Sequence, residues 1–376
     1  MTEPRVHKER APLFHVSKRA NMPLWMSLCI RFGFIVAALL IGMLVLTAAY
    51  QANPFEAIGQ LFVGTFSTPN RIFDLLRRTA LLLGVSLALI PAFKMRFWNL
   101  GGNGQILVGV LVTVLLMYYL GGVIPDWAIM LIMIPCAILA GMIWAVIPAI
   151  FKAFFGTNES LFTLMMNYIA SKLVVLVISL VITNGSGIMP LQQHGRFPEL
   201  INKYMLPVFV ILAVLIFMVF YLRTFRHGYE LSVVGESTNT ARYVGINVKT
   251  TIIRTLCISG AICGLVGCLI GGAIDYTVSA TSDQNLGFTA IMAVWLGKSN
   301  PLIVVGTSFF ISFITKGMGT VQSYFGISNS ATSDIVMGLV YFFIIACDFF
   351  IEYKISFVKK TPTIVASKPE TKGERQ

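Results

Sequence analysis

The chain has 376 residues, of which 56% are hydrophobic and only 12% charged, and its mean hydropathy is +0.81. Since a soluble domain carries about a quarter charged residues, this composition excludes a soluble globular fold and indicates a polytopic membrane protein. The net charge is +12, and 17 of the 28 Lys and Arg residues lie in three polar stretches, 1–31, 223–254 and 352–376. Basic residues collect on the cytoplasmic side of membrane proteins, so we expect these stretches in the cytoplasm and not on nucleic acid.

Apolar segments predict an all-α membrane protein with about ten transmembrane helices. The first segment extends from Phe32 to Tyr50, and the basic leader before it is too long for a signal peptide, so we expect this helix to remain in the chain. The other predicted spans are 75–93, 97–120, 127–150, 160–183, 204–222, 255–275, 286–297, 301–315 and 333–351. Segment 286–297 is too short to cross roughly 30 Å of hydrocarbon as a straight helix, so eight crossings are the alternative.

The charge distribution predicts where the chain meets the cytoplasm. Six crossings return it at Arg223, where the basic loop 223–254 begins, and an even total places the C-terminal tail on the same side. The predicted domains are a basic cytoplasmic tail (1–31), a transmembrane domain (32–351) and a second basic cytoplasmic tail (352–376).

Two polar segments interrupt the predicted helices. Residues 97–105 read Phe-Trp-Asn-Leu-Gly-Gly-Asn-Gly-Gln and carry the amides Asn99, Asn103 and Gln105, and the second interruption covers 285–297. Irregular backbone within a membrane is tolerated only where it is buried in protein or lines a water-filled path, and paired interruptions in two halves of a transporter point to its pathway. We therefore predict that these amides line a solute path.

The fifth predicted span carries a polar stripe. Glu159, Thr163, Asn167 and Ser171 recur every fourth residue, which places them along one face of a helix. Two interpretations stay open, namely hydrogen bonding between helices and the lining of a path for a neutral polar solute. Lys172 lies near mid-span, where a cation needs a partner or water, and it either donates to carbonyls of a neighbouring helix or contacts the solute.

The loop between the sixth and seventh spans predicts a short cytoplasmic helix. Ser237 or Thr238 is placed to cap a helix that includes Ala241 and Arg242 and that Gly245 ends. Such a helix is either a solvated connector or a lever on which a cytoplasmic engine pushes.

The seventh span carries a face of small residues. Gly260, Gly264, Gly267 and Gly271 are spaced by four, three and four residues, so they lie on one face of the helix. Such a face lets another helix approach closely, and we expect these glycines to serve packing.

The sequence contains no catalytic constellation. The four histidines lie outside the apolar segments without HExxH spacing and the six cysteines form no CxxC pair, so neither a metal site nor a disulfide framework is predicted. Gly297-Lys298-Ser299 lacks the upstream glycine of a phosphate-binding loop, so no ATP site is predicted either. Asp126 is the only charged residue between Phe97 and Phe151, which argues against an ion-coupled carrier.

Four segments of the sequence match, in order, the motifs of one family. Residues 97–105 are similar to F-N-I-G-x-E-G-Q, and residues 158–170 to N-E-x-x-x-T-x-M-x-N-Y-I-A. Residues 235–247 are similar to G-x-x-x-x-A-A-R-Y-A-G-I-N, and residues 290–302 to A-I-A-V-A-L-L-G-x-x-N-P-x-G. The chain thereby resembles the membrane permease subunits of bacterial ATP-driven (ABC) importers for nucleosides and simple sugars, which are related to those for ribose and branched-chain amino acids.

The resemblance implies a binding-protein-dependent importer in the bacterial plasma membrane, with both termini of this chain in the cytoplasm. Its partners would be cytoplasmic ABC ATPase subunits, a second permease subunit (a copy or a paralogue), an extracytoplasmic solute-binding lipoprotein and membrane lipid, without nucleic acid. The chain itself would be no enzyme and bind no cofactor, because a partner hydrolyses ATP. A self-contained secondary carrier or channel for a small polar solute is the alternative from another class.

The resemblance and the polar pattern assign two sets of residues. The predicted substrate path comprises Asn99, Asn103, Gln105, Thr163, Asn167, Ser171 and Lys172. The predicted ATPase coupling residues are Gly235, Glu236, Ala241, Arg242, Gly245 and Asn247. The sequence departs from the family where Asn103 replaces a common Glu, Trp98 enters the first motif and Ile303 replaces a glycine. Loss of that carboxylate leaves the solute open between a nucleoside and a simple sugar.

Overall fold

The structure is a computed structural model that describes residues 14–19, 22–182, 185, 187–327 and 331–357. Its helices are α1 (Leu24–Tyr50), α2 (Pro54–Phe66), α3 (Pro69–Lys94), α4 (Gly102–Leu120), α5 (Asp126–Phe155), α6 (Glu159–Val181), α7 (Met205–Thr224), α8 (Arg226–Glu236), α9 (Thr238–Tyr243), α10 (Val248–Ile270), α11 (Leu286–Leu296), α12 (Pro301–Tyr324) and α13 (Ala331–Glu352). A π-helical turn (Gly271–Asp275) extends α10, and the strands are β1 (Phe14–Lys18) and β2 (Tyr353–Phe357). The predicted all-α membrane class is confirmed. The predicted tails fall partly outside the described residues, at 1–13, 20–21 and 358–376.

Nine of the described helices are long and apolar enough to cross a membrane, namely α1, α3, α4, α5, α6, α7, α10, α12 and α13. Helix α11 has 11 residues and corresponds to the predicted short span. The ten spans predicted from the sequence therefore correspond to nine long helices and α11. The first predicted interruption is present, because residues 95–101 separate α3 from α4. The second lies earlier than predicted: the backbone is not helical at 276–285, whereas residues 286–296 of the predicted segment form α11.

Within its described parts, the chain folds as two compact units. The first consists of segments from Met1–Val45 and Ile335–Gln376, and the second is Leu46–Asp334. In the first unit the side chains of Arg31 and Asp348 form an ion pair at 3.0 Å.

A small sheet joins the two ends of the first unit. Strand β1 pairs antiparallel with β2, with Phe14 opposite Phe357 and Lys18 opposite Tyr353. Because β1 precedes α1 and β2 follows α13, the start of α1 and the end of α13 lie close together. The two helix ends can lie on the same side of a membrane only if the chain crosses it an even number of times. The nine long helices give an odd number, so the predicted total of ten requires that α11 form part of a tenth crossing.

In the second unit α3 and α10 form the centre. Every residue of α3 from Thr79 to Ala92 is buried, and α10 packs against α3, α4 and α5. By contrast, α5, α6 and α7 expose large apolar side chains, among them Leu131, Leu180 and Ile216. These outer helices present the apolar surface that lipid would cover.

The glycine face of α10 is packed as the sequence predicts. A β-carbon built on Gly264 would lie 2.2 Å from the carbonyl oxygen of Ala137, and one built on Gly260 would lie 2.3 Å from that of Gly141. The same substitution at Gly267 would meet the carbonyl oxygen of Ile106 at 2.5 Å. The backbones of α5 and α4 thus lie directly on this face, so its packing role is confirmed at these three positions.

Several predicted boundaries are corrected by the structure. Helix α2 was not predicted, and it begins where Asn53 accepts a hydrogen bond from the Phe55 N–H at 3.1 Å. Helix α12 extends past the predicted end at 315 because Lys316 forms an ion pair with Asp74 of α3. Pairing offsets part of the cost of placing this charge in an apolar helix, so the helix continues through a position that a hydropathy count treats as its end.

Candidate functional site

The interrupted segment 97–105 lies within the second unit, between the end of α3 and the first turn of α4. Helix α3 ends at Lys94, Arg96 is left-handed with φ of 56°, and helical structure resumes only at Gly102. Backbone that leaves a helix in a buried region carries N–H and C=O groups that need partners. The surrounding polar side chains supply them.

The polar stripe of α6 binds this backbone. The Thr163 hydroxyl oxygen accepts a hydrogen bond from the Leu100 N–H at 3.1 Å. The Asn167 side chain uses both of its ends, because Oδ1 accepts from the Gly104 N–H and Nδ2 donates to the Leu100 carbonyl, each at 2.8 Å. Both side chains are buried. The stripe therefore faces the interrupted segment, which the sequence could not specify.

Asn99 connects the segment to the central helix α10. Its Oδ1 accepts hydrogen bonds from the Gly101 N–H at 3.0 Å and from Nε2 of Gln105 at 3.4 Å. Its Nδ2 donates to the hydroxyl oxygen of Ser259 in α10 at 3.1 Å. Asn99 is completely buried, so it joins three parts of the fold without contact with solvent.

Asn103 brings the two predicted interruptions into direct contact. Its Oδ1 accepts a hydrogen bond from the Gly287 N–H at 2.6 Å, in the first turn of α11. A β-carbon built on Gly102 would lie 3.2 Å from the Gly287 α-carbon. We call the five buried polar residues of this region the amide joint, which consists of Asn99, Asn103, Gln105, Thr163 and Asn167.

The amide joint is uncharged, and most of its hydrogen-bonding groups have partners within the chain. Two buried atoms in and beside it have none among the described residues, Gln105 Oε1 and Trp144 Nε1. A β-carbon on Gly104 would lie 3.0 Å from that indole nitrogen. One acceptor and one donor are thus left for a water or a solute hydroxyl. The described residues also contain no group of three or more His, Cys, Asp or Glu that could hold a metal ion.

The remaining residues of the predicted path lie outside the amide joint. Ser171 Oγ lies 3.5 Å from the carbonyl oxygen of Ala280, and Lys172 is exposed on the surface of α6. Glu159, the first residue of the polar stripe, pairs with Lys152 at 2.7 Å. The structure therefore brings five of the seven predicted path residues together and leaves Ser171 and Lys172 further along the helix.

Sequence reasoning missed Ser259 and Trp144. Each is a single polar group in an apolar segment, without the spacing that marks a set. Ser259 directly precedes Gly260 in the glycine face, and that adjacency is the only local signal that it faces a neighbouring helix.

The short helix predicted between the sixth and seventh spans is present as α9. Ser237 caps it by accepting a hydrogen bond from the Thr240 N–H at 3.3 Å, and Gly245 follows its end with φ of 83°. Asn247 then caps α10 by accepting from the Thr250 N–H at 3.3 Å. The predicted cap and stop are both confirmed.

Helix α9 presents a mixed surface. Ala241 is completely buried, whereas Glu236 and Arg242 are exposed. Two apolar side chains next to them are also exposed, with Tyr243 at 92% and Val244 at 61%. An exposed aromatic ring beside a cation is a common composition for a protein contact surface.

Helix α8 anchors α9 to the membrane helices through a buried histidine. His227 Nε2 lies 3.2 Å from the hydroxyl oxygen of Thr255 in α10, and that hydroxyl donates to the Thr251 carbonyl at 2.6 Å. The imidazole is therefore the donor of the His227–Thr255 hydrogen bond. Burial lowers the pKa of His227, and nearby Glu230 opposes this shift while Arg254 reinforces it.

Comparison with known proteins supplies the family. The model of the family described as the permease component of the branched-chain amino acid transport system matches residues 71–345. The chain is 26% identical to the glucose ABC transporter permease protein TsgB13 of Haloferax volcanii, over 90% of this chain and 92% of that protein. It is 28% identical to the guanosine ABC transporter permease protein NupP of Bacillus subtilis, over 80% and 88% of the two chains.

A nucleoside ABC transporter permease protein, NupB of Lactococcus lactis, is 25% identical over 93% of this chain and 96% of its own length. The partially matching permease proteins NupQ and NupC come from the same two species as NupP and NupB. These matches favour a transporter subunit over the self-contained carrier that the sequence left as the alternative. The chain belongs to the family of permease components of the branched-chain amino acid transport system, and it is a permease subunit of the ABC importer type.

Proposed function

We propose that this permease subunit moves a nucleoside, or in second place a simple sugar, into the cell by alternating access. The solutes named for three of its relatives are guanosine, nucleosides and glucose, which are neutral and hydroxylated. The amide joint supports a solute of that class, because uncharged donors and acceptors suit a neutral polar molecule better than an ion. The chain holds no ATP site and no cofactor in this proposal, and a partner subunit hydrolyses ATP.

We assign the solute path to the amide joint together with Ser171 and Lys172. The joint residues are buried and hydrogen-bonded to one another and to the backbone, so the path requires α4, α6 and α11 to separate in a second conformation. The spare groups Gln105 Oε1 and Trp144 Nε1 support a polar occupant at that place. The observed contacts support interhelical hydrogen bonding directly, so the experiments below are chosen to separate the two roles.

The packing of α8 is the observation that carries the coupling proposal. Gly235 of α8 packs on the backbone of Lys94, where α3 ends and the interrupted segment begins. A displacement of α8 and α9 would therefore move the backbone of Lys94, which is only five residues before Asn99 of the amide joint. We propose that the ATPase coupling residues have two roles. Glu236, Arg242, Gly245 and Asn247 are exposed and form the surface that receives the ATPase. The buried Gly235 and Ala241 hold α8 and α9 against the rest of the unit. A cavity of about 300 Å³, lined in part by Arg226, Glu230 and Asn247, lies beside this surface.

The proposed assembly contains two permease subunits, two cytoplasmic ABC ATPase subunits and an extracytoplasmic solute-binding lipoprotein. The paired permeases of Bacillus subtilis and Lactococcus lactis support a paralogue as the second permease. We place the chain in a bacterial plasma membrane with both termini, and the loop 223–254, in the cytoplasm. The basic residues of these regions and the pairing of β1 with β2 support this orientation.

The function is tested on the reconstituted assembly, by uptake of a labelled panel of nucleosides and simple sugars and by ATP hydrolysis with and without loaded binding protein. Arg242→Glu should weaken ATPase docking and reduce hydrolysis stimulated by binding protein. Gly245→Val should uncouple hydrolysis from uptake, because a β-branched residue is strained at a positive φ. Lys203→Glu reverses a charge outside the coupling loop and serves as the matched control. Wild-type uptake and stimulation in both loop variants would reject the coupling surface.

The orientation has its own test, which does not depend on the solute. Asn239 lies in α9 and is exposed, so a cysteine placed there in a cysteine-free chain reports the side of the membrane without removing a cap. An impermeant thiol reagent should fail to label Asn239→Cys in intact cells and label it after permeabilisation. Labelling of intact cells would reverse the proposed orientation.

A further inference from the structure

A basic cavity of about 260 Å³ lies where three elements of the second unit end. Lys94 closes α3, Arg223 lies in the last turn of α7, and Lys298 belongs to the turn between α11 and α12. The described residues that line the cavity include no Asp or Glu. Three positive side chains from three separate elements therefore converge on one space.

These three cations have no partner within the part of the chain that the structure describes. None of their side chains takes part in an ion pair or a hydrogen bond there, whereas Lys316 and Lys152 are each paired with a carboxylate. Like charges that converge without a counter-charge repel one another, and an anion between them would relieve that repulsion. The cavity is thus electrostatically suited to a negatively charged ligand.

The rest of the lining is divided between polar and apolar groups. Ser299 and Asn300 offer hydrogen-bonding side chains on the side of Lys298. Apolar surface comes from Val219, Leu222, Pro301 and Leu302, and Leu302 is 53% exposed. A small soluble anion would make no favourable contact with these apolar side chains. A lipid would, because its charged headgroup is attached to apolar chains.

The turn that carries Lys298 has an uncommon backbone. Lys298 and Ser299 are both left-handed, with φ of 48° and 53°, although neither is glycine. Each such residue costs about 1 kcal/mol relative to ordinary backbone. This conformation places two neighbouring side chains of the turn on the same cavity.

Two tryptophans lie within four residues of the cavity-lining Lys94 and Lys298 along the chain. Trp98 follows the end of α3, Trp295 lies in the last turn of α11, and their ring centroids are 5.4 Å apart. Both are about 40% exposed. Tryptophan is enriched at the boundary between hydrocarbon and headgroups, so its presence here indicates that the cavity lies at headgroup depth.

We propose that this cavity binds the phosphate headgroup of an anionic phospholipid. Lys94, Arg223 and Lys298 neutralise the phosphate, Ser299 and Asn300 hydrogen-bond to it, and the apolar wall contacts the first carbons of the acyl chains. Basic pockets between transmembrane helices are a recurring form of such sites. We assign the lipid to the cytoplasmic leaflet, and this assignment rests on the proposed orientation of the chain. The proposed lipid chemistry does not depend on that orientation.

The proposal is tested with the purified full-length chain in nanodiscs of phosphatidylcholine that contain increasing fractions of phosphatidylglycerol, followed by native mass spectrometry of retained lipid. Wild-type chain should retain phosphatidylglycerol in preference to phosphatidylcholine. Lys298→Gln and Arg223→Gln should each weaken retention about fivefold, since one surface cation contributes about that factor toward an anionic membrane. Lys249→Gln is the matched control, because Lys249 lies on the ring of Phe154 and does not line the cavity.

Two further measurements keep the outcome decisive. Thermal unfolding in detergent without phosphatidylglycerol should give a midpoint for the exposed-site variant Lys298→Gln that is no lower than that of wild type, because the substitution relieves repulsion among the cations, and this separates lost binding from lost folding. In the second measurement, inorganic phosphate is added to the lipid-bound chain and the amount of retained lipid is measured. Equal retention by wild type and both cavity variants overturns the proposal, and so does displacement of the lipid by millimolar phosphate, which would indicate a soluble-anion site. Since neither readout involves transport or ATP, failure of the proposed function would leave this result unchanged.

Discussion

Gly235 of α8 lies directly on the last turn of α3, so closely that a β-carbon built on it would stand 2.1 Å from the carbonyl oxygen of Lys94. Such a distance leaves no room for any side chain, because the opposing atom is backbone and cannot rotate away. Beyond Lys94 the chain enters the interrupted segment that Asn167 and Asn103 hold in place. The glycine therefore forms a contact between α8 and the backbone that leads into the amide joint.

Replacement of Gly235 should break the contact between α8 and α3. Gly235→Ala forces α8 away from α3, so we expect a fall of several-fold in uptake and in hydrolysis stimulated by binding protein, with a lower thermal midpoint of the purified chain. The control is Gly59→Ala in α2, where no heavy atom lies within 4 Å of the added carbon. Wild-type uptake and stimulation in Gly235→Ala would show that this contact carries no motion.

The two interpretations of the α6 stripe predict different results for near-isosteric variants. Asn167→Leu leaves the Gly104 N–H and the Leu100 carbonyl without their partners, and each buried unsatisfied group costs about 1–3 kcal/mol. Thr163→Val leaves only the Leu100 N–H, so the structural role predicts the larger loss of thermal stability for Asn167→Leu. Ser179→Ala, at an exposed position of the same helix, should change neither property.

Thermal unfolding of the purified chain without solute and uptake by the assembled transporter separate the roles. A structural role predicts that both variants unfold at a lower temperature than wild type, and that the midpoint of Asn167→Leu is lower than that of Thr163→Val. Unchanged midpoints with lost uptake of the preferred solute would instead favour a path that contacts the solute in this region.

Features encoded by neighbouring residues could be predicted from the sequence. The apolar segments gave the helices, and the four-residue period of α6 gave its polar face. Ser237 and Gly245 gave the ends of α9, since capping depends on a few residues in contact along the chain. The glycine spacing of α10 gave a close-packed face, although not the identity of the helices that pack on it.

Features that depend on distant residues could not. Lys316 pairs with Asp74 from 242 positions away, and Asn103 accepts a hydrogen bond from Gly287 from 184 positions away. A hydropathy window counts such a lysine as a helix end, and a polar side chain gives no sign of which backbone group it will bind. The amide joint was therefore recognisable as a set of polar residues, while its role as a connection between helices was not.

The close contact between α5 and α10 should tolerate no added carbon at its centre. A β-carbon on Gly264 would lie 2.2 Å from the Ala137 carbonyl oxygen, so Gly264→Ala should destabilise the chain by about 1–3 kcal/mol or more. Gly271→Ala on the same face is the graded control, because its nearest neighbour is a methyl group of Val114 at 3.2 Å. The thermal midpoint should fall clearly for the first variant and little for the second; equal midpoints would contradict the packing.

A buried carboxyl should make stability depend on pH near the start of α11. Asp283 is 7% exposed in the loop before that helix, and burial raises its pKa to about 6, although backbone N–H groups of Asp283 and Asn285 partly offset this. A pKa above the unfolded value means that the folded chain holds the proton more tightly. Stability should therefore decline as pH rises from about 4 to about 6 and stay constant above that range.

Removal of this carboxyl tests both the sign and the pH range. Asp283→Asn keeps an oxygen acceptor for the two backbone N–H groups and cannot ionise, so it should raise stability above pH 6 by roughly 3 kcal/mol and have little effect near pH 4. The thermal midpoints of wild type and Asp283→Asn are measured from pH 4 to pH 8. The contributions of the other carboxyl groups are the same in both proteins, so they cancel in the difference between the two midpoints. Glu199→Gln, at an exposed carboxyl, is the matched control. A difference between wild type and Asp283→Asn that is the same at every pH would mean that the side chain does not titrate in this range.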